Sequence, residues 1–404
     1  MSGAPTPRDG RAGRGRPVAV LGAVVGAGTL LVAGFAAAVA ALLARRIVSP
    51  DRGPRPDDVD VLGVGTGTVT LRATTETVAP GRYGFWLDGG AGHVRVGEVL
   101  DHDRYARTVT RSVVAVDSGR LDQGPARWNQ YFYSGNPATA LGLPYEELTL
   151  AGEVGDLPAW FVPAATEASG GAAQRQTWAI MVHGRGASRE ECLRAIPLLH
   201  RLGFPSLAVT YRNDPEAAAS PSGRYHLGDA EWRDVEVAVL HAVEHGASDV
   251  VLVGWSMGGA IALQLLTRSW TADRIRAVVL DAPVLDWRDV IDHHARINRV
   301  PAVVGRLSQS VLEHGQARRL AALDRPLSLN RMDWVARADE LTRPILILHS
   351  DDDEFVPSGP SRRLAQARPD LVTLVSSRDA GHTREWNVDP HAWDAAVARF
   401  LLAL

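Results

Sequence analysis

The stretch Asp249-Val250-Val251-Leu252-Val253-Gly254-Trp255-Ser256-Met257-Gly258-Gly259-Ala260-Ile261-Ala262-Leu263-Gln264-Leu265-Leu266 decides how this chain is read. An apolar run enters a Gly-x-Ser-x-Gly turn, and an Ala/Leu-rich run follows. The pattern predicts strand, sharp turn and helix, with Ser256 at the apex. A serine hydroxyl is a poor nucleophile in a flexible loop. A strained turn lifts it clear of the sheet, and the flanking glycines admit the backbone crowding this needs. The helix that starts there points N–H groups and the positive end of its dipole at charge developing beside the serine.

The surrounding chain supports that context. From Tyr145 onward, strands at 147–150, 159–162, 177–182, 206–211, 250–253, 277–280, 345–348 and 371–375 alternate with helices at 189–201, 229–244, 258–267, 360–366 and 390–402. The strands are short continuous Val/Ile/Leu runs, as in a sheet covered on both faces. Their alternation with helices predicts a mostly parallel, doubly wound α/β sheet. Between Val284 and Leu341 the alternation lapses into a mostly helical stretch, the expected cap over the site.

A serine nucleophile needs a base, an acid to orient that base, and donors for an oxyanion. In an open sheet these lie at the carboxyl ends of strands, in the order serine, acid, histidine. The strand Ile345-Leu346-Ile347-Leu348 runs into His349-Ser350-Asp351-Asp352-Asp353, so three adjacent aspartates compete for the role of acid. Asp281, which ends the strand after the elbow helix, is an outside alternative. The base is His382 in Asp379-Ala380-Gly381-His382-Thr383, where Gly381 lets the loop turn tightly between the last strand and the last helix. His349, at the end of a buried strand, and His293 and His294, in the cap, fit worse. One oxyanion donor is the N–H of Met257, and the other comes from His183-Gly184-Arg185-Gly186 after an earlier strand. His183 reads as structural, and Asp229 as the N-cap of its helix. The single Cys192 excludes an internal disulfide and reads as buried packing. No spaced His/Cys set for zinc and no calcium loop is present in the sequence.

The Gly-Trp-Ser-Met-Gly-Gly elbow and the Asp…Gly-His ending resemble the α/β-hydrolase superfamily, in its esterase-like, serine aminopeptidase-like and prolyl-oligopeptidase-like branches. The resemblance covers about residues 145–404, about two thirds of the chain. The stretch His349–Pro357 resembles that family's His-Gly-x-x-Asp-x-x-Val-Pro motif, with Ser350 in place of the glycine. Aligning Val356-Pro357 puts the acid at Asp353. The family's His-Gly loop implies the N–H of Arg185 as the second oxyanion donor. The resemblance implies an α/β-hydrolase fold and a Ser256-Asp353-His382 triad that forms an acyl-enzyme with an ester or thioester, without a cofactor. A serine peptidase is the alternative, and a non-catalytic surface-binding module is the competing class.

The N-terminus has another character. Arg8, Arg11, Arg14 and Arg16 precede an uncharged run from Pro17 to Ala44, closed by Arg45-Arg46. Roughly 20 apolar residues suffice to cross a bilayer as helix, and a cleavable signal has a shorter core. The expected division is therefore a basic tail (1–16), a transmembrane anchor (17–44) with the lipid bilayer as its partner, a linker (45–60), a small β-rich domain (61–143) and an α/β domain (144–404, cap 284–341). A short basic tail is costly to translocate, so the N-terminus is expected inside and the hydrolase domain on the extracytoplasmic side of the cell membrane. The formal net charge is -3, which gives no reason to expect nucleic acid as a partner. The 43 basic residues are all arginine.

Overall fold

The computed structural model describes residues 34–51, 53, 55–165 and 175–404. The basic tail and residues 17–33 of the expected anchor lie outside them. The described part of the apolar run forms helix α1 (34–48), which continues past the expected boundary at Ala44. Ala40, Ala44 and Val48 recur every four residues on one helical face and are buried. Ala44 and Val48 join the main core, and Val48 O accepts from Tyr225 N at 2.8 Å. This docking explains the longer helix. Phe35 and Leu42 of α1 are exposed. Among the described residues no helix is long and apolar enough to cross a membrane.

Strands β1 (Val59–Gly65), β2 (Thr68–Arg72), β3 (Tyr83–Leu87), β4 (Gly92–Asp103), β5 (Thr108–Ser118) and β6 (Gly124–Asn129) close into a barrel of order β1-β2-β5-β4-β3-β6. All neighbouring pairs are antiparallel. Alternate residues, such as Val69 and Leu71 or Val94 and Val96, fill the interior. The alternation expected at 68–74, 92–99 and 105–114 corresponds to β2, β4 and β5. Residues 104–107 are a turn instead, with Tyr105 fully exposed.

The short helix α2 (Pro137–Leu141) leads to an eight-stranded sheet. Its strands are β7 (Glu146–Gly152), β8 (Gly155–Val162), β9 (Thr177–Val182), β10 (Ser206–Val209), β11 (Asp249–Trp255), β12 (Ile275–Asp281), β13 (Ile345–Ser350) and β14 (Val372–Ser377), in the order β14-β13-β12-β11-β9-β10-β8-β7. The strands from β9 to β14 run parallel, and only β8 runs against its neighbours. The helices are α3 (Ile196–Arg201), α4 (Trp232–Glu244), α5 (Met257–Arg268), α6 (Trp287–Ile297), α7 (Ala302–Glu313), α8 (Gly359–Ala367), α9 (Glu385–Val388) and α10 (Pro390–Leu402). In β9, Trp178, Ile180 and Val182 pack with α4 and α5, while Ala179 and Met181 pack with α3 and α10. Both faces are covered, which is why these strands read as unbroken apolar runs.

Two local expectations change. The helix expected over 189–201 is a 3-10 turn (Arg189–Arg194) followed by α3. Pro197 stands in the first turn of α3, the place where a proline's missing N–H costs nothing. Helix α4 starts at Trp232, and Asp229 does not cap it. The Asp229 carboxylate accepts from Arg268 Nη1 at 2.7 Å instead.

The barrel docks onto the sheet through Asn387, which is buried. Its Nδ2 donates to the carbonyls of Arg82 and Gln130, at 2.7 Å each, and its own carbonyl accepts from Arg82 N at 2.9 Å. Gly81 has φ +102°, and a Cβ there would lie 2.4 Å from Asn387 O, so glycine is required at this junction. Phe132 and Tyr133 pack on Trp386 across the same seam.

Candidate active site

Strand β11 lies inside the sheet and delivers Ser256 at its carboxyl edge, where α5 begins. Ser256 has φ 51° and ψ −116°, a backbone conformation that costs about 1–3 kcal/mol for a non-glycine residue. Surrounding atoms impose it. A Cβ on Gly258 would sit 2.0 Å from Val182 O, and one on Gly254 would sit 2.7 Å from Gly258 C. The Ser256 N–H donates to Asp281 O at 3.0 Å, and Ser256 O accepts from Val284 N at 3.1 Å. The backbone of Ser256 is thus held on both sides.

Ser256 Oγ lies 2.8 Å from His382 Nε2, and His382 Nδ1 lies 2.7 Å from Asp353 Oδ2. With Nδ1–H donating to the carboxylate, Nε2 is free to accept from the hydroxyl. Asp353 Oδ1 accepts from the N–H groups of Phe355 and Val356, each at 2.8 Å. His349 Nε2 lies 3.3 Å from Asp353 Oδ2. Burial opposes ionisation of Asp353, but the imidazoles of His382 and His349 prevail and hold its pKa well below the ordinary carboxylate value.

The neighbouring aspartates are engaged elsewhere. Asp351 pairs with Arg362, and Asp352 accepts from Asp379 N at 2.8 Å. Asp281 accepts from Trp393 Nε1 at 2.7 Å. The structure therefore brings Ser256, His382 and Asp353 together and leaves the alternatives out of that series. His293 and His294 donate from α6 to the carbonyls of Glu354 and Phe355, tying the cap to the acid loop.

The loop 183–186 lies against the serine: a Cβ on Gly184 would be 3.2 Å from Ser256 Cβ. No hydrogen bond among the described residues uses the N–H of Arg185 or of Met257. His183 is buried, with Nδ1 facing Gly184 O and Nε2 facing Asp214, each at 2.9 Å. Burial disfavours its charge, but the Asp214 carboxylate prevails and raises its pKa. The Gly184 N–H donates to Glu191 Oε2 at 2.7 Å, and Arg194 pairs with Glu191 at 3.3 Å. Arg194 also donates to Thr383 O at 2.7 Å and to Asn387 Oδ1 at 2.8 Å. This buried pair joins the 183–186 loop to the histidine loop. No motif marks Glu191 or Arg194 in the sequence. Among the described residues no cluster of histidine, cysteine and carboxylate side chains is placed to hold a metal.

The sequence profile of the alpha/beta hydrolase family matches residues 179–399, more than half of the chain. The chain belongs to the alpha/beta hydrolase family. It is a hydrolase by that membership. The barrel matches a separate profile, a domain of unknown function (DUF8805), over residues 60–129. An esterase of Pyrococcus furiosus is 17% identical to this hydrolase, with a TM-score of 0.51 over 67% of this chain and 94% of that one. A thermophilic esterase from Thermogutta terrifontis with malate bound is 18% identical, with a TM-score of 0.43 over 64% of this chain and 98% of that one. At such identities the likeness concerns the fold.

Across Phe355 from His382 the hydrolase has a cavity of about 320 Å³, and none of Ser256, His382 and Asp353 is among its lining residues. Phe355, whose ring centroid is 5.1 Å from that of His382, and Arg185 flank it on the catalytic side. Leu43 and Ile47 of α1 form a wall opposite residues of α6. The sequence pattern, which read 45–60 as a linker, carried no signal that this segment lines a pocket.

Proposed function

We propose that this hydrolase is membrane-anchored and cleaves a carboxylic ester or thioester through an acyl-enzyme. The observation that carries the reading is the hydrogen-bonded series Ser256–His382–Asp353 at the apex of a strained elbow. Ser256 Oγ attacks the carbonyl carbon while His382 Nε2 takes its proton. Asp353 fixes the tautomer and steadies the imidazolium that forms. The N–H groups of Met257 and Arg185 face the oxyanion, a contribution of about 3–4 kcal/mol per donor. The tetrahedral intermediate collapses, and His382 returns the proton to the departing oxygen or sulfur. A water deprotonated by the same imidazole then attacks the acyl-enzyme and releases the acid.

The cavity supports an acyl substrate over a peptide with a free amine. Its wall is mostly apolar, aliphatic and aromatic together, and Arg46 and Arg185 are cations that repel an ammonium group. The anchor rests on the uncharged run 17–44, of which residues 17–33 precede the helix docked on the body, a length of about 17 residues at the lower limit for spanning a bilayer. Arg45 and Arg46 follow it, and the catalytic part lies on the extracytoplasmic side, because the short basic tail is costly to translocate.

A fluorophosphonate probe tests the chemistry. It labels the wild-type chain, and Ser256→Ala abolishes labelling and lowers p-nitrophenyl ester turnover by about 10⁴-fold or more. Well-folded wild-type protein that never labels overturns the proposal. Faster turnover of aminoacyl-anilides than of esters puts the peptidase first.

A further inference from the structure

The cavity is built from two parts of the chain with separate origins. Val290, Ile291 and Ala295 belong to α6 in the cap, whereas Leu43 and Ile47 belong to α1. Helix α1 lies outside the stretch matched by the hydrolase profile, and it is the described end of the uncharged run 17–44. One face of α1 is locked to the hydrolase body by Ala44 and Val48, and another leaves Phe35 and Leu42 exposed. Ser49, just past the helix, fixes its position: its carbonyl accepts from Arg185 Nη1 at 3.1 Å and its hydroxyl from Arg224 Nη1 at 2.6 Å. Arg185, the proposed second oxyanion donor, therefore also holds the end of α1 through its side chain.

Resting on the serine-hydrolase reading above, we infer that α1 is part of the substrate site: Leu43 and Ile47 form, with α6 and Phe355, the binding wall for a single acyl chain of a membrane lipid ester. The wall is apolar where a chain would lie. His294 stands in the same wall, and burial followed by the neighbouring His293 lowers its pKa, which favours an uncharged ring. The volume of about 320 Å³ is at the lower end of the roughly 300–1,000 Å³ usual for small-molecule sites, which suits one chain and not a diacyl pair. Helix α1 follows the uncharged segment 17–33, about the shortest apolar stretch that crosses a bilayer, which brings this pocket to the membrane surface, where such esters reside.

The test uses the full chain in phosphatidylcholine vesicles with p-nitrophenyl acetate and p-nitrophenyl dodecanoate as paired substrates. Wild type favours the dodecanoyl ester in kcat/KM, because each buried methylene adds to transition-state binding. Leu43→Trp and Ile47→Trp each narrow the pocket and lower the dodecanoyl-to-acetyl ratio by about tenfold or more. Fluorophosphonate labelling of the same samples reports whether Ser256 remains reactive and the protein folded. A ratio within about twofold of wild type in both variants, with labelling intact, overturns the acyl site while leaving the hydrolase reading standing. Absence of labelling in wild type overturns the hydrolase reading itself, and the acyl site with it.

Discussion

The barrel and the hydrolase body each bury an arginine almost completely, and the two arginines do different work. Arg111 of the barrel donates only to carbonyls: Thr77, Ala79 and Gly81 in one loop and Gly97 in β4. No carboxylate is among its hydrogen-bond partners, and burial pulls its pKa down to about 10. It closes one module on itself. Arg194 of the body has a carboxylate partner in Glu191 and reaches three separate pieces of chain: the turn before α3, the histidine loop at Thr383, and Asn387 at the seam. It couples regions that otherwise share no strand. A guanidinium buried among carbonyls thus stabilises a unit, and one buried across loops fixes the position of one loop against another.

Removing each cation should have the largest effect. Arg194→Met leaves Glu191 buried without its partner, at a cost of about 3–5 kcal/mol, and frees Thr383 beside His382. Ester turnover should fall together with the melting temperature. Wild-type kcat in the folded fraction would refute the coupling role. Arg111→Met leaves buried carbonyls unsatisfied and should cost about 1–3 kcal/mol for the set, while kcat of folded protein stays near wild type. A large drop in kcat there would show that the barrel's interior acts on the active site.

Asn387→Ala cuts the seam itself. A loss of about 1–2 kcal/mol is expected, with a few-fold drop in kcat, because Arg194 keeps its other partners. Hydrogen exchange at β3 and β6 should rise if the seam braces the barrel, and unchanged exchange would argue against it. Acidification gives the smallest effect. Asp353 has a depressed pKa in the fold, so it adds stability above the unfolded carboxylate value of about 3.9, and that contribution fades as pH falls through its lower folded value. The melting-temperature gap between wild type and Asp353→Asn should narrow from pH 5 toward pH 3. Asp117 of the barrel is also depressed: burial opposes it, but hydrogen bonds from His93 and Arg95 prevail. It is more exposed, so Asp117→Asn should show a smaller gap with the same sign. Equal gaps would erase the contrast between the two regions.

What was legible in the sequence followed from local rules. The parallel strands announced themselves because burial on two faces demands unbroken apolar runs, and the elbow did so because only small residues fit beside Gly254 and Gly258. Ser256 and His382 stood out through their turns, and the resemblance singled out Asp353 among three aspartates that local pattern left equal. Misreadings arose where a distant partner outbid a local preference. Asp229 has the chemistry of a cap, yet Arg268 takes its carboxylate. The 45–48 segment looks like a linker, yet core contacts keep it helical.

Short-range pattern was enough to set the alternation of strands and helices, the strained serine turn and the family, because these depend on neighbours within a few residues. The closure of the barrel, the Glu191–Arg194 strut and the use of α1 as a pocket wall emerge only from the folded chain. Each joins residues far apart in the chain, and a charge or an aliphatic side chain carries no local mark of which distant group will bury it.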